Sequence, residues 1–370
     1  MGGRLTLSTS ARRFAGVPYG PLLATISLGL ILQAAALYWD VWTHVVIGRE
    51  TFFSAPHLLL YTGFGLVALG GIAGCLRGVA GQGPMGPRLH VLGLAVPIEF
   101  FLIGIGALFQ TVAFPWDEAW HLLVSRGEVT ETFWSPPHAM AIGGGILAAF
   151  GFVLAVAVAR ETRTWSRGLA LVVQGWSFGQ LLFALHVLLG LADFAEVFQG
   201  DVFRDAAVYP SAVAVVTPVV LVMAVVATRR PGLATLAAIF YTIIRWPMVS
   251  LDFAAPPPVL VVAPIVDALY AIPRADAWPT VRAALAGGLW AIGFYGVYIW
   301  TRGLPVEPLF VALFSFTVFI AGVISGLLGV GLASSVRAVA RMASPVLHAP
   351  TIRRSGTAKG TSSPDSETRG

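Results

Sequence analysis

The sequence predicts an all-α, polytopic integral membrane protein. Of its 370 residues, 57% are hydrophobic and 11% are charged, and its mean hydropathy is +0.81. A soluble domain carries about 25% charged residues. Several apolar runs approach the roughly 20 residues that an α-helix needs to cross the hydrocarbon core of a bilayer. We therefore expect a bundle of transmembrane helices in contact with the lipid bilayer.

Ten apolar runs define the predicted helices, which we expect to pair as antiparallel hairpins. The first run begins at Pro21 and lacks a small-residue cleavage site, so we interpret it as a retained span. Cys75 is the single cysteine, which excludes an intramolecular disulfide and a Cys-based metal site. The predicted spans are 21–39, 57–76, 91–114, 138–159, 169–191, 208–228, 232–251, 257–272, 281–301 and 308–332.

The basic residues indicate how the chain is oriented. Eighteen of the 23 Lys and Arg residues fall in alternate loops and in the two termini, four fall in the other loops, and Arg245 falls inside a span. Loops rich in Lys and Arg stay in the cytoplasm. We therefore expect a multi-pass cell-membrane protein with both termini cytoplasmic. The placement of these residues in short loops also accounts for the pI of about 9.7, so we expect no nucleic-acid partner.

Four regions follow from this assignment. Residues 1–20 form a cytoplasmic N-terminal segment, 21–160 form two hairpins with candidate metal sites, and 161–335 form further transmembrane helices. Residues 336–370 form a basic cytoplasmic tail. Its Ser, Thr, Gly, Arg and Pro content buries too little apolar surface to fold, so we expect it to be disordered.

The stretch from Tyr38 to His57, YWDVWTHVVIGRETFFSAPH, recurs in large part at Trp116 to His138, WDEAWHLLVSRGEVTETFWSPPH. Each copy has Trp-Asp, a His four residues after the Asp, and a second His after a Ser-x-Pro step. The first triad is Asp40, His44 and His57, and the second triad is Asp117, His121 and His138. The topology places both triads near the outward face.

The positions of these residues on the helices favour a metal site. Positions four apart share a helix face, so the Asp and first His of each triad are neighbours. Ser followed by Pro favours a helix start, which places the second His in the first turn of the returning helix. Two imidazoles and a carboxylate suit copper, iron or zinc better than Mg²⁺ or Ca²⁺. Arg49 and Arg126 either orient these ligands or form plain surface salt bridges.

Polar residues inside the spans extend the repeat. Gln33 and Gln110 each lie seven residues before a triad Asp, while His186 and Arg245 have the same spacing to Asp193 and Asp252. This spacing predicts four related hairpins, with the last two spans outside the repeat. Gln33, Gln110 and His186 serve as ligands or as helix-to-helix hydrogen bonds. Glu99 and Asp267 form either a structural clasp with Arg245 or a proton or ion path.

The first triad has the spacing Asp-x3-His-x12-His across a helical hairpin. This pattern resembles the copper ligands in the C subunit of the copper membrane monooxygenases, the particulate methane and ammonia monooxygenases. The second triad is similar to the second ligand set of that subunit, with a longer x16 loop and Asp117 in place of Asn. The resemblance covers residues 21–160 and implies a membrane copper site. Nothing in the chain resembles the periplasmic copper-binding subunit of that family.

These observations give one main functional hypothesis and two alternatives. The main hypothesis is a copper-binding membrane protein, with iron or zinc as alternative metals, that as an oxidoreductase would oxidise a small apolar or lipidic substrate. The alternatives are a secondary transporter and a non-catalytic membrane subunit or metal-delivery protein. Partners other than lipid would be further membrane subunits or a second copy of the chain. The sequence leaves open whether the six ligands form one dinuclear site or two mononuclear sites.

Overall fold

The computed structural model describes most of the chain apart from its two ends and several loops. Statements about structure below refer to these residues: 18–47, 51–82, 85–125, 135–162, 165–194, 208–249, 258–273, 278–303 and 306–343.

Ten α-helices in these ranges confirm the prediction of an all-α polytopic membrane protein. Eight of them are long and apolar enough to cross a bilayer, while α7 and α8 are shorter apolar helices. The helices are α1 Tyr19–Val46, α2 Ala55–Val79, α3 Ile98–Trp120, α4 Pro136–Thr162, α5 Arg167–Phe194, α6 Tyr209–Thr228, α7 Leu233–Val249, α8 Val259–Ala271, α9 Pro279–Arg302 and α10 Pro308–Met342. A π-helical turn, His121–Ser125, continues α3.

A short β-hairpin precedes α3 where the sequence predicts the start of a span at residue 91. Strands β1 (Arg88–Val91) and β2 (Leu94–Pro97) pair antiparallel. The two residues between them, Leu92 and Gly93, have φ angles of 49° and 79°. Positive φ at both positions is typical of the two-residue turn that matches the twist of a hairpin. The helix therefore begins after Pro97, seven residues later than predicted.

The first two hairpins, α1–α2 and α3–α4, pack through matched contacts. A Cβ added at Gly63 would lie 2.8 Å from the carbonyl oxygen of Gly29, and one added at Gly144 would lie 2.5 Å from that of Gly106. Only glycine permits such a close backbone approach. Each of these pairs occupies equivalent positions in the repeat, so the two sequence copies fold into two equivalent hairpins.

The remaining helices complete the bundle beside these hairpins. Helix α5 packs mainly on α7, while α10 packs mainly on α6 and α9. Helix α10 has 35 residues and is about 52 Å long at 1.5 Å per residue, well beyond a hydrocarbon core of about 30 Å. It is therefore longer than an untilted span requires.

The alternating helices give the bundle two distinct ends. Asp40 near the end of α1 contacts His57 at the start of α2, which defines the triad end. Arg160 near the end of α4 reaches the Thr228 carbonyl at the end of α6, which lies at the opposite end. With ten alternating helices, the start of α1 and the end of α10 both lie at the opposite end. This agrees with the even number of spans that the orientation argument requires.

Candidate metal centre

In the first triad, the carboxylate and the second histidine are in direct contact. Asp40 Oδ1 lies 2.9 Å from His57 Nε2. The other ring nitrogen, Nδ1, lies 2.9 Å from the carbonyl oxygen of Thr51. A carbonyl only accepts, so Nδ1 carries the proton and donates this bond. The backbone of the loop thereby orients Nε2 towards Asp40.

The second triad has the same pair of residues in contact through a different ring nitrogen. Asp117 Oδ1 lies 3.1 Å from His138 Nδ1. The same nitrogen lies 2.7 Å from Ser135 Oγ, which also accepts a 3.3 Å hydrogen bond from the His138 backbone N–H. Ser135 therefore acts as the helix cap that the sequence predicts, and it shares Nδ1 with the carboxylate. At the matching position of α2, Ser54 is the N-cap residue but makes no side-chain cap bond.

The structure does not test the remaining predicted ligands. His44 lies within α1 and His121 begins the π-helical turn, but their side chains are outside the described part of the chain. Arg49 and Arg126 also lie outside the described residues. Within the described ranges, no group of three or more His, Cys, Asp or Glu side chains is close enough to hold a metal. Each triad is represented by its Asp and its second His.

Both pairs line one cavity, which we call the triad cavity. Its volume is about 170 Å³, and its walls come from α1, α2, α3, α4, α5 and α7. Most of the lining is apolar, including Leu30, Phe64 and Phe114. An apolar cavity with a few convergent polar groups is the usual form of a small-molecule site. The described Asp and His of the two triads thus line one cavity rather than two separate ones.

The four positions that the wider repeat predicts to be equivalent also line the triad cavity. They are Gln33, Gln110, His186 and Arg245. Their convergence is the placement expected for related hairpins that surround a common site. No residue of α6, α8, α9 or α10 contributes to the described lining. Asp193 and Asp252, the acids that follow His186 and Arg245 by seven residues, have side chains outside the described part of the chain.

Three of these residues form helix-to-helix hydrogen bonds. Gln110 Nε2 donates to Gln33 Oε1 at 2.8 Å, which joins the first two hairpins. His186 is 1% exposed and contacts Thr217 Oγ1 at 2.8 Å and the Tyr241 hydroxyl at 2.7 Å. Of the two roles predicted for these residues, ligand or helix-to-helix hydrogen bond, the hydrogen bond is therefore observed. His186 lies too deep in this network to serve as a ligand without breaking it.

The intramembrane carboxylates are separated from Arg245. Asp267 accepts the backbone N–H groups of Ala234 and Thr235 at 3.2 and 2.8 Å, and so caps the start of α7. Arg245 lies near the other end of the same helix, about 16 Å away at 1.5 Å per residue. Glu99 accepts the Gly86 backbone N–H at 2.9 Å, also at the opposite end of the bundle. Neither carboxylate lines the triad cavity, and the predicted clasp with Arg245 is absent from the described contacts.

Two residues of the cavity wall were not singled out in the sequence. Tyr38 is 4% exposed, and its hydroxyl has no hydrogen-bond partner among the described residues. Gln180 on α5 donates to the Ser27 carbonyl at 3.3 Å. Gln180 could have been recognised from the sequence, because it is a polar residue within an apolar run. Tyr38 gave no signal, because a tyrosine near the end of a span is typical of any transmembrane helix.

The donor set and its spacing fit a transition metal. Metal–nitrogen and metal–oxygen bonds in such sites are about 2.0–2.2 Å long, so two adjacent ligands of one metal lie about 3 Å apart. The 2.9 and 3.1 Å separations of the two pairs have this size, which is equally that of a direct hydrogen bond or ion pair between Asp and His. In the first triad, Nδ1–H bound to a backbone carbonyl is also the usual support of a metal-ligating imidazole.

Comparison of the chain with protein-family models, with curated proteins and with solved structures found no match.

Proposed function

We propose that this membrane protein binds copper in the triad cavity and is related to the C subunits of the copper membrane monooxygenases. One observation carries the proposal. Each of the two equivalent hairpins holds an Asp and a His in contact, at 2.9 Å in the first and 3.1 Å in the second, and both pairs line the same cavity. His44 and His121 would complete the donor sets, because each follows its Asp by one helical turn. Iron and zinc are the alternative metals for this donor set.

The shared cavity supports chemistry on a small apolar or lipidic molecule. Bound copper with an open coordination position would supply the activation of O₂. The apolar walls would exclude water and hold an apolar substrate beside the metal ligands. Gln33 Nε2 and Gln110 Oε1 have no hydrogen-bond partner among the described residues. They would orient a polar group on a bound molecule.

Metal analysis of purified, untagged protein tests the site. We expect copper by mass spectrometry and a copper signal by EPR in the wild type. We expect its loss in the double variant His57→Ala/His138→Ala. His90→Ala is the matched control, because His90 is exposed on β1 at the opposite end of the bundle. Wild-type protein without copper, iron or zinc would refute the proposal, as would a double variant that keeps its metal.

A second experiment separates oxidation from the two alternatives. Copper-loaded protein in nanodiscs would be supplied with ¹⁸O₂, a quinol reductant and short alkanes or lipid acyl chains. Incorporation of ¹⁸O into a product, lost in the double variant, supports an oxidoreductase. Metal binding without incorporation favours a metal-delivery subunit. Metal uptake into proteoliposomes favours a transporter. Asp267 caps α7 and Glu99 accepts the Gly86 backbone N–H, so both carboxylates have structural partners.

A further inference from the structure

A second cavity lies at the opposite end of the bundle, far from the triads. Its volume is about 330 Å³, and it is enclosed by residues of α4, α5, α6 and α10. Four arginines line it, namely Arg160, Arg229, Arg337 and Arg341. Glu161 is the single acidic residue in its described lining. We call it the arginine cavity.

The arginines converge from helices that are distant in the sequence. Arg160 lies in the last turn of α4, Arg229 follows α6, and Arg337 and Arg341 lie in the last turns of α10. Arg337 lies within electrostatic range of both Arg229 and Arg341. Four like charges around one cavity repel one another, and one glutamate balances only one of the four. The tendency of arginines to gather in the cytoplasmic loops accounts for the end of the bundle at which these four lie. It does not account for their convergence on one cavity.

One further feature indicates a binding site rather than a chance cluster. Gln174 is 3% exposed, lines the cavity, and has an Oε1 atom with no hydrogen-bond partner in the described structure. A buried acceptor without a described partner needs a donor, which a bound molecule or an ordered water would supply. A hydroxyl group beside an anionic group would satisfy both the glutamine and the arginines.

We propose that the arginine cavity binds a phosphate-bearing anion. Planar guanidinium groups bind phosphate oxygens through paired, charge-assisted hydrogen bonds. The cavity is lined by the last turns of α10, where arginines follow the apolar part of the helix, so we expect it to lie at the depth of lipid headgroups. Basic cavities between transmembrane helices at this depth bind anionic lipid headgroups. A lipid headgroup and a free phosphate share this chemistry and differ in whether an acyl chain adds to the binding.

Ligand-dependent stability of the full chain in detergent tests the proposal. The thermal unfolding of lipid-depleted protein would be measured with phosphatidylglycerol, with phosphatidylcholine, and with sodium phosphate at matched ionic strength. We expect a higher unfolding temperature with phosphatidylglycerol or phosphate than with phosphatidylcholine. A response to phosphatidylglycerol alone identifies a lipid site, and an equal response to phosphate identifies a soluble anion. Equal responses to all three additions, or none, would overturn the proposal.

Variants test whether this stabilisation arises from binding in the arginine cavity. In Arg160→Gln/Arg337→Gln we expect the concentration for half-maximal stabilisation to rise at least about tenfold, because charge-assisted hydrogen bonds are removed. Arg88→Gln/Arg302→Gln makes the same change in charge outside the cavity and should leave that concentration unchanged. Arg341→Gln, at an exposed position, replaces the double variant if that protein does not fold. If the arginines only stabilise the helix ends, the variants should unfold at a lower temperature and respond to phosphatidylglycerol and phosphate as the wild type does. That result would refute the proposal.

Discussion

The first and second hairpins differ at the triads although their helices pack alike. In the first, His57 presents Nε2 to Asp40, and the Thr51 carbonyl holds the other nitrogen. In the second, His138 presents Nδ1 to Asp117, and Ser135 contacts that same nitrogen. The two copies thus share their residue types, while the groups that contact the second His differ between them. We expect the helix packing to respond equally to matched substitutions and the triads to respond unequally.

The largest effects should come from the glycines at the two helix crossings. We expect Gly63→Ala and Gly144→Ala each to lower the free energy of unfolding by about 1–3 kcal/mol, because the new methyl group meets a backbone carbonyl that cannot move aside. Reversible unfolding in detergent would measure both values. Gly65→Ala and Gly143→Ala are matched controls, since a Cβ at either position meets nothing within 4 Å. Clearly unequal losses would show that the hairpins are not equivalent.

The two histidines should contribute unequally to metal affinity. His57 is held ready by the Thr51 carbonyl, whereas a metal at His138 Nδ1 must displace Ser135. We therefore expect His57→Ala to weaken copper binding at least about tenfold more than His138→Ala does, within the range typical of lost ligand support. Titration against a competing chelator would measure both dissociation constants, with His90→Ala as the control. Equal losses, or a larger loss for His138→Ala, would contradict the assigned difference.

The repeat itself could be predicted from the sequence because it is carried by residue types at fixed offsets. Asp, His and Gln are conspicuous in apolar helices, and a spacing of four or seven places them on one helix face. The convergence of Gln33, Gln110, His186 and Arg245 on one cavity follows from that regularity. The choice of ring nitrogen could not be predicted. It depends on where the Thr51 carbonyl and the Ser135 hydroxyl lie in three dimensions.

Other features escaped prediction because they have no local signature. The strands before α3 read as apolar helix, since Val91, Leu94 and Val96 continue the hydrophobic run of the span. The arginine cavity joins residues from three distant parts of the chain, and the sequence indicated only on which side of the membrane they lie. Likewise, nothing local showed that Asp267 caps another helix. Long-range contacts of this kind depend on how the helices pack.

Ser135 provides a smaller test of the difference between the triads. We expect Ser135→Ala to lower the free energy of unfolding by about 1 kcal/mol, because the α4 helix loses its cap. The same change should strengthen copper binding by the second triad, because His138 Nδ1 is no longer shared. Ser54→Ala is the matched control at α2, where the serine makes no cap bond and the change should stay within about 0.5 kcal/mol. Weaker copper binding in Ser135→Ala would mean that the serine supports the site.

The smallest expected effect concerns the single hydrogen bond that joins the hairpins across the cavity. A double-mutant cycle of Gln33→Leu and Gln110→Leu should give a coupling energy of about 0.6 kcal/mol, the average for such bonds between transmembrane helices. Gln33→Leu combined with Gln174→Leu is the control cycle, and these should be additive because Gln174 lines the arginine cavity at the opposite end. Coupling near zero in the first cycle would show that the bond does not hold the hairpins together. The shared cavity would then depend on the glycine crossings alone, and copper affinity should survive both glutamine substitutions.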